Sequence, residues 1–315
     1  MSEPIDEFSF LPGQAADFGI DGAIPRGERV SLTLPDGRTL SALRYGAAPP
    51  VVTFLHGAGL NAHTWDTTIL ALGLPALAID LPGHGDSSWR PDAAYTGRVL
   101  APDVAAGMDA WTSGPQVLVG QSLGGLTAAA VAASRPDLVW ELVVIDITPG
   151  VDPNAGPTQI REFFAGPTDW ASRDEMVDRA LSFGLGGSRR AAERGVYHNS
   201  RERPDGRFEW KHHFAHLSAA TARAGGDAAA RATESGRPDA VTRVLSATGW
   251  DDLAGVTAPV TLILGERGYV TDADASEFQE HLPAASLVVV AAGHNVQEEL
   301  PVELGRRLRD LAGKG

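Results

Sequence analysis

Gly120-Gln121-Ser122-Leu123-Gly124-Gly125 is the stretch whose residue types and spacing point most directly to chemistry. A serine hydroxyl attacks well only when the backbone holds it clear of its neighbours and a base takes its proton. This serine follows the apolar run 116–119 and opens the helix-length run 123–133. A G-x-S-x-G sequence at a strand-to-helix turn meets the first need. The turn lifts the hydroxyl, glycines at 120 and 124 avoid collisions, and the first helical amides face developing negative charge. Other nucleophiles are scarce. The 315 residues contain no cysteine, which removes thiolate catalysis, disulfides and zinc–thiolate sites together. Lys211 and Lys314 are the only lysines, so Schiff-base chemistry has almost no candidates.

Such a turn requires a sheet to hold it. The runs 51–55, 76–79, 116–119, 142–145, 260–264 and 287–290 are short and apolar, as strands are when helices cover both faces of a parallel sheet. Helix-length segments 99–111, 123–133 and 272–281 lie among them. Residues 29–34 and 39–45 alternate apolar and polar around Pro35-Asp36-Gly37, which predicts an antiparallel hairpin. The fold expected is α/β, a mostly parallel, doubly wound sheet with that hairpin at its N-terminal side. Residues 150–245 break the rhythm, with many aromatic and arginine residues and no buried strand. Structureless loops of that length are rare, so this interval is expected to be a mostly helical insertion between the sixth and seventh strands. Residues 1–149 and 246–315 then form one core, and 1–28 read as an irregular arm.

Val52–Leu55 leads into His56-Gly57-Ala58-Gly59, and 76–79 into Asp80-Leu81-Pro82-Gly83-His84-Gly85-Asp86-Ser87. Gly293-His294-Asn295 follows the last apolar run. With the serine turn, these motifs in this order resemble the α/β-hydrolase superfamily over residues 29–312, interrupted by a variable cap at 150–245. The resemblance implies that His294 is the general base and that the backbone N–H groups of Ala58 and Leu123 form the oxyanion hole. Two preorganised donors suit a tetrahedral oxyanion. His56 and His84 read as braces of their loops. Among the nine histidines, His198, His212, His213 and His216 fall in the insertion and His281 on a helix.

The acid that completes a triad is less direct. Most members of the superfamily carry it after the strand written here as 260–264, at the position occupied by Gly268. A minority carry it one strand earlier, where this chain has Asp146 at the end of an apolar run. A carboxylate there is costly to bury without a partner, and an imidazole N–H is a natural one. Asp146 is therefore the preferred acid. Glu266 stands beside Gly265 as an alternative, with Asp272 and Asp274 at a helix start as further ones.

Aromatic residues in the insertion and near the histidine loops are candidates for the substrate pocket: Trp65, Phe163 and Trp210. The resemblance implies a cofactor-independent, metal-free serine hydrolase acting on a carboxylic ester or lactone through an acyl-enzyme on Ser122. Carbon–carbon bond hydrolysis of ring-cleavage diketones is the alternative on the same triad, and a non-catalytic ligand-binding relative is a further one. The partner expected is a small carbonyl substrate. A net charge of −14 argues against nucleic acid and anionic membranes. The acidic start lacks the basic and apolar regions of a secretory signal, so a cytoplasmic location is expected.

Overall fold

Alternation along each apolar run explains how the sheet is covered. A computed structural model describes residues 5–151, 162–164, 166–223 and 249–314. Strand residues alternate sides, so a strand covered on both faces is apolar at every position. In β5 (Gln116–Gln121), Leu118 packs into one buried cluster while Val117 and Val119 pack into another. In β6 (Val139–Ile145), Leu142 and Val144 take the first side, Val143 and Ile145 the second.

The chain begins with a 3-10 turn (Glu7–Phe10) and helix α1 (Leu11–Asp17), then the hairpin β1 (Gly27–Thr33) and β2 (Thr39–Tyr45). Strands β3 (Val52–Leu55) and β4 (Ala76–Asp80) flank α2 (Asp66–Leu72), and α3 (Gly97–Trp111) precedes β5. Helix α4 (Leu123–Ser134) leads to β6. The sheet has the order β1-β2-β4-β3-β5-β6-β9-β10, closing with β9 (Val260–Arg267) and β10 (Ser286–Gly293). Within this sheet only β1–β2 and β2–β4 pair antiparallel, which matches the expected N-terminal hairpin on a parallel sheet. Helices α3 and α4 cover one face. On the other lie α2 and the C-terminal helix, whose Leu304 and Leu308 are buried beside Ile69. Strand order reverses at β3, so the carboxyl ends of β3 and β5 open a crevice, where doubly wound sheets bind ligands.

Between β6 and β9 the described chain leaves the sheet. It forms α5 (Arg173–Ser182), α6 (Arg189–Asn199), a small antiparallel pair β7 (Ser200–Glu202) and β8 (Phe208–Trp210), and α7 (Phe214–Arg223). Trp170, Met176, Val177, Val196 and Trp210 build a separate apolar cluster in it. Helix α8 (Gly249–Ala254) packs on α4 and leads to β9. The expected return to the core at residue 246 lies outside the described residues. Helices α9 (Asp272–His281), α10 (Val296–Glu299) and α11 (Pro301–Ala312) complete the described fold.

Two short helices were not legible in the sequence. Helix α1 interrupts the arm expected to be irregular; it carries Pro12 and Gly13, yet Leu11 and Ala15 anchor it in the core. Every residue of α2 is buried, so it shows no polar face and no helical period.

Candidate active site

Ser122 sits between β5 and α4 with φ 53° and ψ −121°, a conformation that non-glycine residues rarely adopt. The flanking glycines make room for it. A Cβ on Gly120 would lie 2.2 Å from Gly124 O, and one on Gly124 would lie 2.2 Å from Leu55 O. The Ser122 N–H donates to Ile145 O at 3.1 Å, which ties the turn to the residue preceding Asp146. Leu123 opens α4, and first-turn amides have no intrahelical acceptor.

The loop after β3 crosses this turn. A Cβ on Gly57 would lie 3.3 Å from Ser122 Cβ, so the loop passes directly beside the serine. Leu81 N–H donates to His56 Nε2 at 2.9 Å, which leaves Nδ1 as the donor to Gly57 O at 2.8 Å. Complete burial pulls the His56 pKa below its usual value, so this imidazole braces the loop in its neutral form. The inserted segment grips the same loop. Asn199 Nδ2 donates to Gly59 O at 2.6 Å, and the Phe164 ring fills the space that a side chain on Gly59 would need.

His294 and Asp146 meet directly. Nδ1 of the imidazole lies 2.7 Å from Asp146 Oδ2. The Asp146 carboxylate is fully buried and also accepts from Gly265 N at 3.0 Å and Tyr269 N at 2.8 Å. Two backbone donors hold it as an acceptor, so His294 Nδ1 carries the proton and Nε2 keeps its lone pair. Asp146 has φ 47°, in the left-handed region that aspartate tolerates better than most residues. The Tyr269 ring stacks on the imidazole at 3.9 Å between centroids and 20° between planes. Gln121 Nε2 reaches His294 O at 3.3 Å, which links the His294 loop to the serine turn.

Gly268 leaves room for the Asp146 carboxylate. An added Cβ there would lie 2.0 Å from Asp146 Oδ1. A side chain at 268 and the Asp146 carboxylate cannot share that space. The three alternative carboxylates lie elsewhere. Glu266 is exposed at the end of β9, and Asp272 is exposed at the start of α9. Asp274 is engaged in a capping box with Thr271. Neither Gly268 as the neighbour of Asp146 nor Tyr269 as the stacking partner of His294 could be read from sequence, because both depend on where β9 ends relative to β6.

A cavity of about 1020 Å³ reaches this edge and is bordered by His294, Tyr269, Phe163 and Trp210. Trp65 needs correction. It is fully buried against Phe54, 4.9 Å between ring centroids, and belongs to the core cluster under β3. A single aromatic beside a loop histidine gives no indication of which side of the sheet it takes. His63, by contrast, lines the cavity.

His63, Asp66 and His198 bring possible metal-ligating atoms within 4.8 Å of one another. Their geometry suits a hydrogen-bonded clasp better. His63 Nδ1 meets Asp66 at 3.0 Å and Nε2 meets Glu7 at 3.1 Å. The His63 and His198 rings stack at 3.7 Å with planes 17° apart, so their in-plane lone pairs do not converge on one point. Among the described residues, no helix is long and apolar enough to cross a membrane.

Comparison with known proteins places this geometry in a lineage. The model of the Alpha/beta hydrolase family matches residues 54–306. Esterase Rv0045c of Mycobacterium tuberculosis is 36% identical over 319 aligned residues, covering 97% of this chain and 96% of that protein. A crystal structure of that esterase superposes with a TM-score of 0.79 at 34% identity, covering 99% of this chain and 100% of the other. The 2-(acetamidomethylene)succinate hydrolase of Mesorhizobium japonicum is 33% identical over 143 residues, 45% of this chain and 49% of that protein. With the motif order, the sheet order and matches along nearly its whole length in agreement, the chain belongs to the alpha/beta hydrolase family.

Proposed function

We propose that this protein is a serine hydrolase that cleaves a carboxylic ester or lactone through an acyl-enzyme on Ser122. The observation that carries the reading is the buried Asp146 carboxylate 2.7 Å from His294 Nδ1, beside a serine in a strained strand-to-helix turn. The similarity to an esterase along nearly the full chain supports ester bonds as the target. Ser122 Oγ attacks the carbonyl carbon and its proton passes to His294 Nε2. The N–H groups of Ala58 and Leu123 hold the oxyanion, and Asp146 stabilises the imidazolium. Collapse expels the alcohol, which takes the proton from His294. Water then attacks the acyl-enzyme with His294 as base, and the acid leaves. The segment inserted between β6 and β9 acts as a cap that bounds the cavity and limits water at the reacting carbonyl.

A fluorophosphonate probe tests the nucleophile. Wild type should label while folded Ser122→Ala does not, and both should be compared on p-nitrophenyl butyrate. Folded wild type that neither labels nor hydrolyses the ester sinks the reading.

A further inference from the structure

The N-terminal arm forms part of the cavity beside His294, because Gln14, Asp17 and Phe18 line it. Helix α1 is fixed to the core: Leu11 and Ala15 are buried, and Gln14 Nε2 donates to Thr67 Oγ1 at 3.2 Å. It is also tied to the inserted segment. Asp17 pairs with Arg190 at 3.1 Å and approaches Arg194 at 3.9 Å, both on α6. Phe18 follows directly, and its N–H donates to Gln14 O at 3.3 Å. Its backbone is therefore held in place at one end of the cavity.

A second cleft, of about 640 Å³, lies along the start of α11. Leu300, Pro301 and Val302 give it an apolar lining, and the exposed Arg306 and Arg307 border it. Among the described residues, only Phe18 and Glu299 border both the cavity and this cleft, so these two side chains form the partition between them. Glu299 is pinned. Its Oε1 accepts from Gly293 N at 2.9 Å and its Oε2 from Arg267 at 2.8 Å, which sets the partition beside the loop that carries His294.

Phe18 is the part of the partition that yields. The residue is 39% exposed, and among the described residues its ring meets no other ring. The other aromatic walls are packed: Phe163 lies 5.6 Å from both Phe183 and Trp210, and Tyr269 stacks on His294. Exposed side chains change rotamer within nanoseconds, whereas displacing a packed ring breaks contacts. The lining on both sides of Phe18 includes apolar side chains, Leu60 and Leu185 in the cavity and Leu300 and Val302 in the cleft. An alkyl chain suits that path, since its burial is favourable along the whole length.

We infer that Phe18 is a specificity-determining residue: its ring ends the cavity beside His294 and so limits the alkyl chain length of the ester that the enzyme accepts. This deepens the serine-esterase reading and rests on it. Esters whose chain stops short of the ring are the preferred substrates, and a smaller side chain at 18 joins the cavity to the cleft along α11 and admits longer ones.

The test measures kcat/KM for two pairs of esters. p-Nitrophenyl butyrate and decanoate vary the acyl chain, and butyl and octyl butyrate vary the alcohol chain, so the pair that responds shows which side of the ester faces Phe18. A methylene gained in an apolar pocket is worth about tenfold or more, so Phe18→Ala should raise the long-to-short ratio about tenfold in at least one pair. Phe18→Trp, which keeps the partition, should not raise it. Adding Val302→Trp to Phe18→Ala fills the cleft and should return the ratio to near the wild-type value. Each variant is checked for folding by thermal melting. Unchanged ratios in both pairs for folded, active Phe18→Ala overturn the inference and leave the esterase reading intact. A gain that persists when Val302→Trp is added also overturns it. Absence of hydrolysis of all four esters by wild type, together with absence of fluorophosphonate labelling, removes the esterase reading and this inference with it.

Discussion

Asp146→Asn is the sharpest perturbation, because three donors converge on a carboxylate and asparagine offers only one oxygen. Gly265 N–H approaches Oδ1 at 3.0 Å, while Tyr269 N–H and His294 Nδ1 approach Oδ2 at 2.8 and 2.7 Å. If the amide oxygen takes the Gly265 side, the NH2 group confronts Tyr269 N–H and turns His294 Nδ1 into an acceptor. The imidazole proton then moves to Nε2, and the base loses the lone pair that Ser122 requires. A wrong tautomer of this kind costs ~10⁴ in kcat, or ~5.4 kcal/mol at ~1.36 kcal/mol per tenfold. If the oxygen instead faces His294, the NH2 meets Gly265 N–H, and the imidazolium still loses its anionic partner. The expected outcome is a fall in kcat of about 10³–10⁴ with little change in KM. The assay is steady-state hydrolysis of p-nitrophenyl butyrate by folded variants, with Glu266→Gln alongside. A loss below tenfold for Asp146→Asn, or an equal loss for Glu266→Gln, would refute the assignment of the acid.

Other consequences follow from the same contacts. Gly268→Asp should inactivate the wild-type background through collision with Asp146, yet the Asp146→Ala, Gly268→Asp double variant should regain part of the activity lost in Asp146→Ala alone; the ester assay decides, and no gain over Asp146→Ala counts against shared space. Tyr269→Ala should lower kcat about 2- to 10-fold, since stacked ring pairs contribute ~0.5–1.5 kcal/mol, and Tyr269→Phe should restore it. Trp65→Ala should cost ~3–5 kcal/mol in denaturant unfolding without changing the ranking of ester substrates, as befits a core residue. The clasp that docks the N-terminal arm should depend on pH in both directions. Burial opposes charge on both partners. Hydrogen bonds from His63 and Arg29 nevertheless lower Glu7 to about 2, and the charge of Asp66 with hydrogen bonds to Asp66 and Glu7 raises His63 to about 9. The His63 contribution is full below its usual 6.5 and is lost as pH rises through about 9; the Glu7 contribution is full above its usual 4.5 and is lost as pH falls through about 2. Hydrogen exchange in residues 7–17, corrected for intrinsic rates, should therefore be slowest between those usual values and faster at pH 9.5; equal protection at both would contradict it.

Local sequence was enough for much of this protein. A sharp turn, the glycines that permit it and the apolar runs that bury strands are properties of neighbouring residues, so the Ser122 turn, the sheet and the hairpin could all be read directly. Asp146 stood out because a carboxylate ending a buried run needs a partner. The missing information was long-range. Helices α1 and α2 take their stability from burial rather than from an amphipathic period, and Trp65 lies on a side of the sheet that its neighbours do not announce. What sets Asp146 apart from the other carboxylates is the end of β9 lying beside the end of β6. There Gly268 leaves room for Asp146, and the Gly265 and Tyr269 amides hold its charge. The cavity beside His294 draws on α1, α6 and α10, which are far apart in sequence, so only folding brings its lining together. Chemistry that depends on adjacent residues is written in the chain, whereas the surroundings of Asp146 and the shape of the pocket arise from packing between distant segments.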